Sequence, residues 1–204
     1  MASVICTNTL SAIQANCDAL KRQGGIDSRI WLGSIADISA VTLDGNGQIA
    51  TFTLGASKYI YPYQGKKLTN NATAELTVSE NGPSTFNHTV NATLFPVTGA
   101  QMKSVENLLL AGGPMFAIIE RKGTGDASNN GFEIYGLSWN PFKEAIETED
   151  GLLPSAGTYQ TGTALSDSTG TVIALSGAAY NLPKIMFAAD DYTDALAAIV
   201  ALQD

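Results

Sequence analysis

The chain has 204 residues, an apolar fraction of 45%, and 11 lysines and arginines against 19 aspartates and glutamates. A net charge of −8 argues against a nucleic-acid-binding surface, which needs clustered basic groups. It suits solubility, or a surface to which DNA should not adhere. Cys6 and Cys17 are too few for a disulfide scaffold and show no metal-ligand spacing. The sequence predicts no signal peptide and no transmembrane helix, and the default interpretation is a soluble protein made in a reducing cytoplasm.

The first third of the chain predicts one helix followed by short strands. Apolar residues at helical spacing predict a helix over Thr9–Arg22, which a glycine pair ends. A strand is predicted over Gly25–Gly33. Val41–Leu43 and Ile49–Leu54 flank an Asp-Gly-Asn-Gly turn and predict a hairpin. Tyr59–Tyr63 is aromatic, and its proline predicts an edge strand or the end of a strand.

The longest two-faced pattern lies between Ala72 and Phe95 and predicts a long hairpin. Apolar and polar side chains alternate along two runs, which an Asn-Gly-Pro-Ser turn separates. The polar side of this hairpin, here named the polar face, has no lysine or arginine. Its residues are Thr73, Glu75, Thr77, Ser79, Asn87, Thr89, Asn91 and Thr93.

The same alternation predicts how the two strands pair. Opposed residues of an antiparallel pair lie on one face, so apolar residues match only across a loop of odd length. A three-residue loop of Gly82, Pro83 and Ser84 satisfies this condition. It places Leu76 opposite Val90.

The second half of the chain predicts a helix, more strands and a last helix. A capping box at Thr98 begins a helix that the Gly-Gly-Pro of residues 112–114 ends. Strands are predicted over Met115–Glu120 and Phe132–Ser138, and a final pair over residues 161–179. The acidic residues 143–151 are ambiguous.

The tail predicts an amphipathic helix that begins with the acidic pair at 190 and 191. Its apolar stripe could dock on its own domain or on a neighbour; the residues are Tyr192, Leu196, Ile199 and Val200. Short strands with turn signals dominate the chain. They favour a mainly β (α+β) fold, an antiparallel β-sandwich or partial barrel with a central flanking helix and helices at both ends.

The sequence offers little for catalysis, and no catalytic, cofactor or metal site is predicted. His88 is the single histidine and alternates with apolar residues, which indicates a core or interface position and not a general base. A carboxylate-dependent hydrolase around Glu147 and Glu149 is the least favoured hypothesis. A second hypothesis is a carbohydrate- or surface-binding β-sandwich module that uses Trp31, Tyr61 and Tyr63 as an aromatic platform.

The order of these motifs resembles phage tail tube proteins, especially short tube or ring subunits of phages that infect Bacteroides-like hosts. The resemblance covers residues 24–180. The segments that carry it are Gly24–Leu32, Val41–Ile49, Tyr59–Tyr63, the long hairpin, Ala100–Leu110, Met115–Arg121, Gly131–Leu137 and Thr161–Gly177.

This resemblance implies a single tail-tube-like domain over residues 1–204, with a β-sandwich core at 24–180 and helical extensions at 1–23 and 185–204. Subunits of the family form rings, here expected to be a hexamer or dodecamer, and the long hairpins line a channel for DNA. The polar face would then line the channel without binding DNA specifically. The protein would be a non-enzymatic virion component, assembled in the host cytoplasm, with portal, collar or tail proteins as neighbours. The extensions leave two alternatives open, a stacking tube subunit and a single collar ring as in crAss-like phages.

Overall fold

The computed structural model describes residues 25–66, 69–78, 84–95, 98–110, 113–122, 130–160 and 170–203. Four predicted features lie outside these residues: the helix at Thr9–Arg22, the two cysteines, Ser79 of the polar face and the strand predicted at 161–167. The fold is mainly β with antiparallel sheets, which confirms the predicted fold class. No helix in the described ranges is long and apolar enough to cross a membrane.

In chain order, the helices and strands of the described residues are β1 Ile26–Ser34, β2 Ile38–Leu43, β3 Ile49–Leu54, β4 Tyr61–Gln64, β5 Asn71–Thr77, β6 Thr85–Leu94, α1 Gly99–Leu109, β7 Met115–Arg121, β8 Phe132–Tyr135, β9 Trp139–Asn140, β10 Ala145–Ile146, β11 Leu153–Gln160, β12 Gly170–Ala179, β13 Lys184–Ile185 and α2 Tyr192–Val200. These strands form two sheets and two small hairpins. The first sheet has five strands in the order β13-β8-β7-β1-β4, and the second has four in the order β11-β12-β6-β5. The pairs β2–β3 and β9–β10 form the hairpins.

The five-stranded sheet is buried on both of its faces. In β1, Ile30 and Leu32 point into a first core, whereas Trp31 between them points into a second core. Residues 115–119 of β7 form an unbroken buried apolar run. Such runs are expected of strands that are covered on both sides, because neither face can be polar.

The first core lies between the two sheets. Val90 and Leu94 of β6 and Ile173 and Leu175 of β12 pack there against the five-stranded sheet. Helix α1 covers one end of this core, and its predicted capping box is present because Thr98 and Gln101 each bond the other's backbone N–H. The four-stranded sheet therefore has one buried face and one open face, which explains the strict alternation along β6.

The second core lies on the far side of the five-stranded sheet, beneath α2 and the predicted β2–β3 hairpin. Ala195 and Ile199 of α2 are completely buried in it. The backbone N–H of Ile60 donates to the carbonyl oxygen of Leu202 at 3.0 Å. The segment expected to be a C-terminal extension thus docks on its own chain. Of the predicted apolar stripe, Ile199 is buried against this core, whereas Val200 is 47% exposed.

The long hairpin forms, but its predicted pairing was wrong. Leu76 lies opposite Phe86 and not opposite Val90, a shift of four residues. The seven residues from Val78 to Ser84 separate the closing pair Thr77 and Thr85. The loop length is still odd, so the division into an apolar and a polar face is the predicted one. Alternation has a period of two and cannot distinguish pairings that differ by an even number.

Strand β12 pairs with β6 on one side and with β11 on the other, and the sequence did not predict β11. Its Pro154, Gly157 and interspersed serine and alanine lack the pattern of a strand. Edge strands tolerate proline because one side of their backbone needs no ladder bonds. A register shift between Pro154 and Ala156 accommodates the proline.

Substitution of the glycine between β8 and β9, Gly136, should have a large effect on stability. Gly136 has φ +81°, and a Cβ atom there would lie 2.6 Å from Leu152 Cγ and 2.8 Å from the Met115 carbonyl oxygen. We expect Gly136→Ala to lower the free energy of unfolding by about 2–3 kcal/mol, measured by urea denaturation. Gly45→Ala is the matched control, since a Cβ at Gly45 meets nothing within 4 Å. Equal losses for both variants would contradict this explanation.

Candidate functional site: the open face of the four-stranded sheet

The polar face of the hairpin is part of a larger open surface. Strands β5, β6, β12 and β11 lie side by side, and the side chains that point away from the first core form one surface. We name this surface the outer sheet face. Its residues are Asn71, Thr73, Glu75 and Thr77 of β5, Asn87, Thr89, Asn91 and Thr93 of β6, Val172, Ala174, Ser176 and Ala178 of β12, and Leu153, Ala156 and Thr158 of β11.

The structure brings together the described residues of the predicted polar face. Thr73, Glu75, Thr77 and Asn87 are exposed, and the remaining three residues of β6 are half-buried by their neighbours within the surface. Side chains align in rows across the strands, as in the row of Thr73, Thr89 and Ser176. None of the seven belongs to either core. The sequence-based division of the hairpin into two faces therefore holds.

Charge is almost absent from the outer sheet face. Glu75 is its one ionisable residue, and none of its fifteen residues is a lysine or arginine. Apart from Leu153, the other side chains are small, β-branched or uncharged amides. Such a surface offers hydrogen-bonding groups but no cation that could hold a phosphate.

Both edges of this sheet carry exposed apolar side chains. On edge strand β5, Leu76 is 57% exposed, and Val78 just beyond it is 71% exposed. On the opposite edge strand, Tyr159 of β11 is 55% exposed. By alternation these residues belong to the apolar side of the sheet, but they extend past the first core. Within the described residues, β5 and β11 each have one neighbouring strand, and such edges with exposed apolar residues are typical of strands that meet another chain.

The His88 side chain lies on the buried side of the four-stranded sheet and bonds that sheet to neighbouring segments. The buried imidazole accepts a hydrogen bond at Nδ1 from the backbone N–H of Gly136, at 3.0 Å, and its Nε2–H donates to the Asn181 carbonyl oxygen at 2.9 Å. Burial lowers the pKa of His88. The ring is thus a neutral core group that joins β6 to the segments after β8 and β12, in agreement with the predicted core position.

Of the two carboxylates considered for hydrolysis, Glu147 is engaged in a surface turn. Glu147 accepts hydrogen bonds from Lys143 Nζ at 2.9 Å and from Asn140 Nδ2 at 2.6 Å. Its bonds to Lys143 and Asn140 lower the pKa of Glu147. A general acid of a glycosidase needs a raised pKa, so this arrangement does not favour acid catalysis at Glu147. Within the described ranges, no group of three or more potential ligands could hold a metal ion.

The aromatic platform considered for carbohydrate binding is not formed. Trp31 is fully buried and cannot contact a ligand. Tyr61 is 55% exposed and Tyr63 is half-buried; both line a groove between β4 and α1. Burial raises the pKa of Tyr63.

The sequence did not identify the β11 and β12 part of the outer sheet face. A weak signal was present in β12, because Ile173 and Leu175 alternate with smaller residues. In β11, by contrast, glycine and alanine occupy both sides of the strand, so no alternation was visible.

The chain matches no protein-family model, no curated protein and no solved structure.

Proposed function

We propose that this chain is a virion structural protein, a ring-forming subunit of tail tube or portal-proximal collar type whose outer sheet face lines a channel for DNA. The observation that carries the proposal is the open, nearly uncharged face of the four-stranded sheet. The resemblance of the motif order to phage tail tube proteins supports the same assignment. The role is structural and involves no catalysis.

The chemistry of the outer sheet face suits a conduit. DNA binds strongly wherever lysine or arginine neutralises its phosphates and releases counterions. A wall of threonine, asparagine, serine and alanine has no such groups, and Glu75 repels phosphate. DNA would pass such a wall without being retained.

The open edges of the sheet suit ring closure. If β5 of one copy meets β11 of the next, the outer sheet faces join into one continuous wall and neither edge of the four-stranded sheet remains exposed. Leu76, Val78 and Tyr159 would be covered in the same step, which removes apolar surface from water. The ring would be closed by contacts between unlike surfaces, repeated around one axis.

Negative-stain microscopy of purified protein and of virions tests this proposal. We expect rings with a central opening. We expect Leu76→Ser to reduce ring formation at least ten-fold at equal concentration, because it removes an apolar side chain from the edge that meets the next copy. Val200→Ser is the matched control, since Val200 is also about half exposed but lies on α2.

Two outcomes would contradict the proposal. One is a protein that stays monomeric at high concentration and is absent from virions. The other is ring formation that Leu76→Ser and Val200→Ser affect equally, since β5 would then have no special part in closure.

A further inference from the structure

The most exposed large apolar side chain among the described residues is that of Phe142, at 88%. It lies at the tip of the short β9–β10 hairpin, outside both sheets and both cores. The hairpin 139–147 is here named the Phe142 hairpin. A fully hydrated phenyl ring is costly to maintain at a site where any polar residue would serve.

Hydrogen bonds hold the Phe142 hairpin in one conformation. Asn140 Oδ1 accepts from the backbone N–H of Phe142 at 2.9 Å and from that of Lys143 at 3.2 Å. Glu147 then bonds both Asn140 and Lys143, and its own N–H donates to the Ser138 carbonyl oxygen at 2.8 Å. Glu144 has the strained φ of 48°. The turn is therefore preorganised to present the ring to solvent, which lowers the entropic cost of binding.

A groove that could take this ring lies elsewhere on the same chain. The groove between β4 and α1, here named the β4–α1 groove, has a volume of about 650 Å³. Tyr61, Tyr63, Leu94, Phe95 and Val105 provide its apolar lining. Tyr61 and Phe95 are partly exposed there, so the groove offers open aromatic surface.

The Phe142 hairpin and the β4–α1 groove lie at opposite ends of β6. The groove contains Leu94, the last residue of β6. The hairpin is bonded to the segment just after β12, because the N–H of Trp139 donates to Asn181 Oδ1. The last residue of β12, Ala179, pairs with Phe86 near the start of β6. From Phe86 to Leu94 a strand rises about 26 Å. Phe142 therefore cannot reach the groove of its own chain.

Charges on the two surfaces are complementary. Residues 143–150 contain one lysine and four carboxylates, those of Glu144, Glu147, Glu149 and Asp150. Beside the groove, Lys66 directly follows the lining residue Gly65, whereas Lys103 of α1 is paired with Glu106 and adds no net charge. An acidic hairpin and a groove bordered by Lys66 favour association of unlike surfaces.

We propose that Phe142 inserts into the β4–α1 groove of a second copy of this chain. A contact between unlike surfaces repeats from copy to copy, so it generates a ring or a stack. The inference rests on the proposed function only in requiring that copies associate, and it names a contact separate from the β5 and β11 edges. Aromatic residues that fill a pocket commonly dominate the affinity of such interfaces.

The first test measures self-association of the full chain by sedimentation velocity. We expect Phe142→Ser to weaken association about thirty-fold, as for loss of an aromatic hot spot. Ser104→Trp should weaken it similarly, because the indole would fill the groove. Val200→Ser is the control and should leave association unchanged. Phe142 contributes to neither core, so its replacement leaves the fold intact.

The second test locates the contact. A chain with p-benzoylphenylalanine at position 142 is mixed with 15N-labelled wild-type protein and irradiated. Mass spectrometry should find position 142 crosslinked to 15N-labelled peptides of the partner copy, within Tyr61–Gly65 or Gln101–Val105. Rings that form without these crosslinks would overturn the inference and leave the proposed function standing, whereas a protein that never associates would overturn both. A groove that instead binds a glycan, with binding lost in Tyr61→Ala and self-association unchanged, would also overturn the inference.

Discussion

Replacing Thr89 with lysine should turn a protein that does not retain duplex DNA into one that does. Thr89 lies in the middle of the outer sheet face, between Thr73 and Ser176. A lysine there would extend from a surface that otherwise has no cation, and each copy in a ring would add one. With about six lysines reaching phosphates, the affinity of the ring for duplex DNA should fall about a thousand-fold between 50 and 200 mM salt. Fluorescence anisotropy of a labelled duplex across a salt series measures this.

Thr51→Lys is the control for this substitution. Thr51 is an exposed threonine on β3, in the hairpin that covers the other side of the molecule. It changes net charge by the same amount, so any difference between the variants reports position. Both variants should form rings as the wild type does. If Thr51→Lys retained DNA as strongly, with the same salt dependence, the outer sheet face would not be the surface that meets DNA.

In virions the same substitution should slow DNA ejection. A ring of lysines would hold the phosphates of each passing segment, and the delay should shrink as salt rises. Unchanged ejection at low salt, with the variant protein incorporated, would contradict a channel position for Thr89.

The second large effect is expected on stability, at His88. Replacing it with alanine would leave a cavity and remove the partners of the Gly136 N–H and the Asn181 carbonyl oxygen. We expect the free energy of unfolding to fall by about 3–5 kcal/mol. Urea denaturation at pH 7.5 measures the loss. His88→Asn retains an amide oxygen that can accept from Gly136, so it should cost less.

The contribution of His88 to the free energy of unfolding should also decrease on acidification. The pKa of His88 is lowered in the folded state by burial, whereas in the unfolded chain it is about 6.5. Above that pH the ring is neutral in both states and the stabilisation is complete. As the pH falls below 6.5 the unfolded state takes up the proton first, and stability drops by up to about 1.4 kcal/mol per pH unit until the folded ring is protonated.

Two half-buried carboxylates, those of Glu120 and Glu133, act in the opposite direction. Burial raises the pKa of Glu120 and of Glu133, so the folded state gains protons at these sites and stability increases as the pH falls through their raised values. Glu120 and Glu133 are present in both wild type and His88→Asn. Their contribution therefore cancels when the free energy of unfolding of one protein is subtracted from that of the other. A difference that stays constant from pH 7.5 to 5.5 would contradict the role assigned to His88.

Local patterns in the sequence determined much of this fold. Alternation in β6 fixed which side chains face the first core, because successive residues of a strand point to opposite sides. Thr98 and Gln101 marked the start of α1, since their side chains satisfy backbone groups within the same turn. Residues 115–119 of β7 predicted a strand as an unbroken apolar run.

Only the tertiary structure decided the features that depend on distant partners. The four-residue shift in the hairpin, the burial of Trp31 and the docking of α2 each reflect packing between segments far apart in sequence. Strand β11 forms although its proline and glycine disfavour it, because β12 offers it a partner and the edge leaves its other side free. Alternation specifies a face but not its neighbours. The extent of the outer sheet face and the exposure of Phe142 therefore follow from how the whole chain packs.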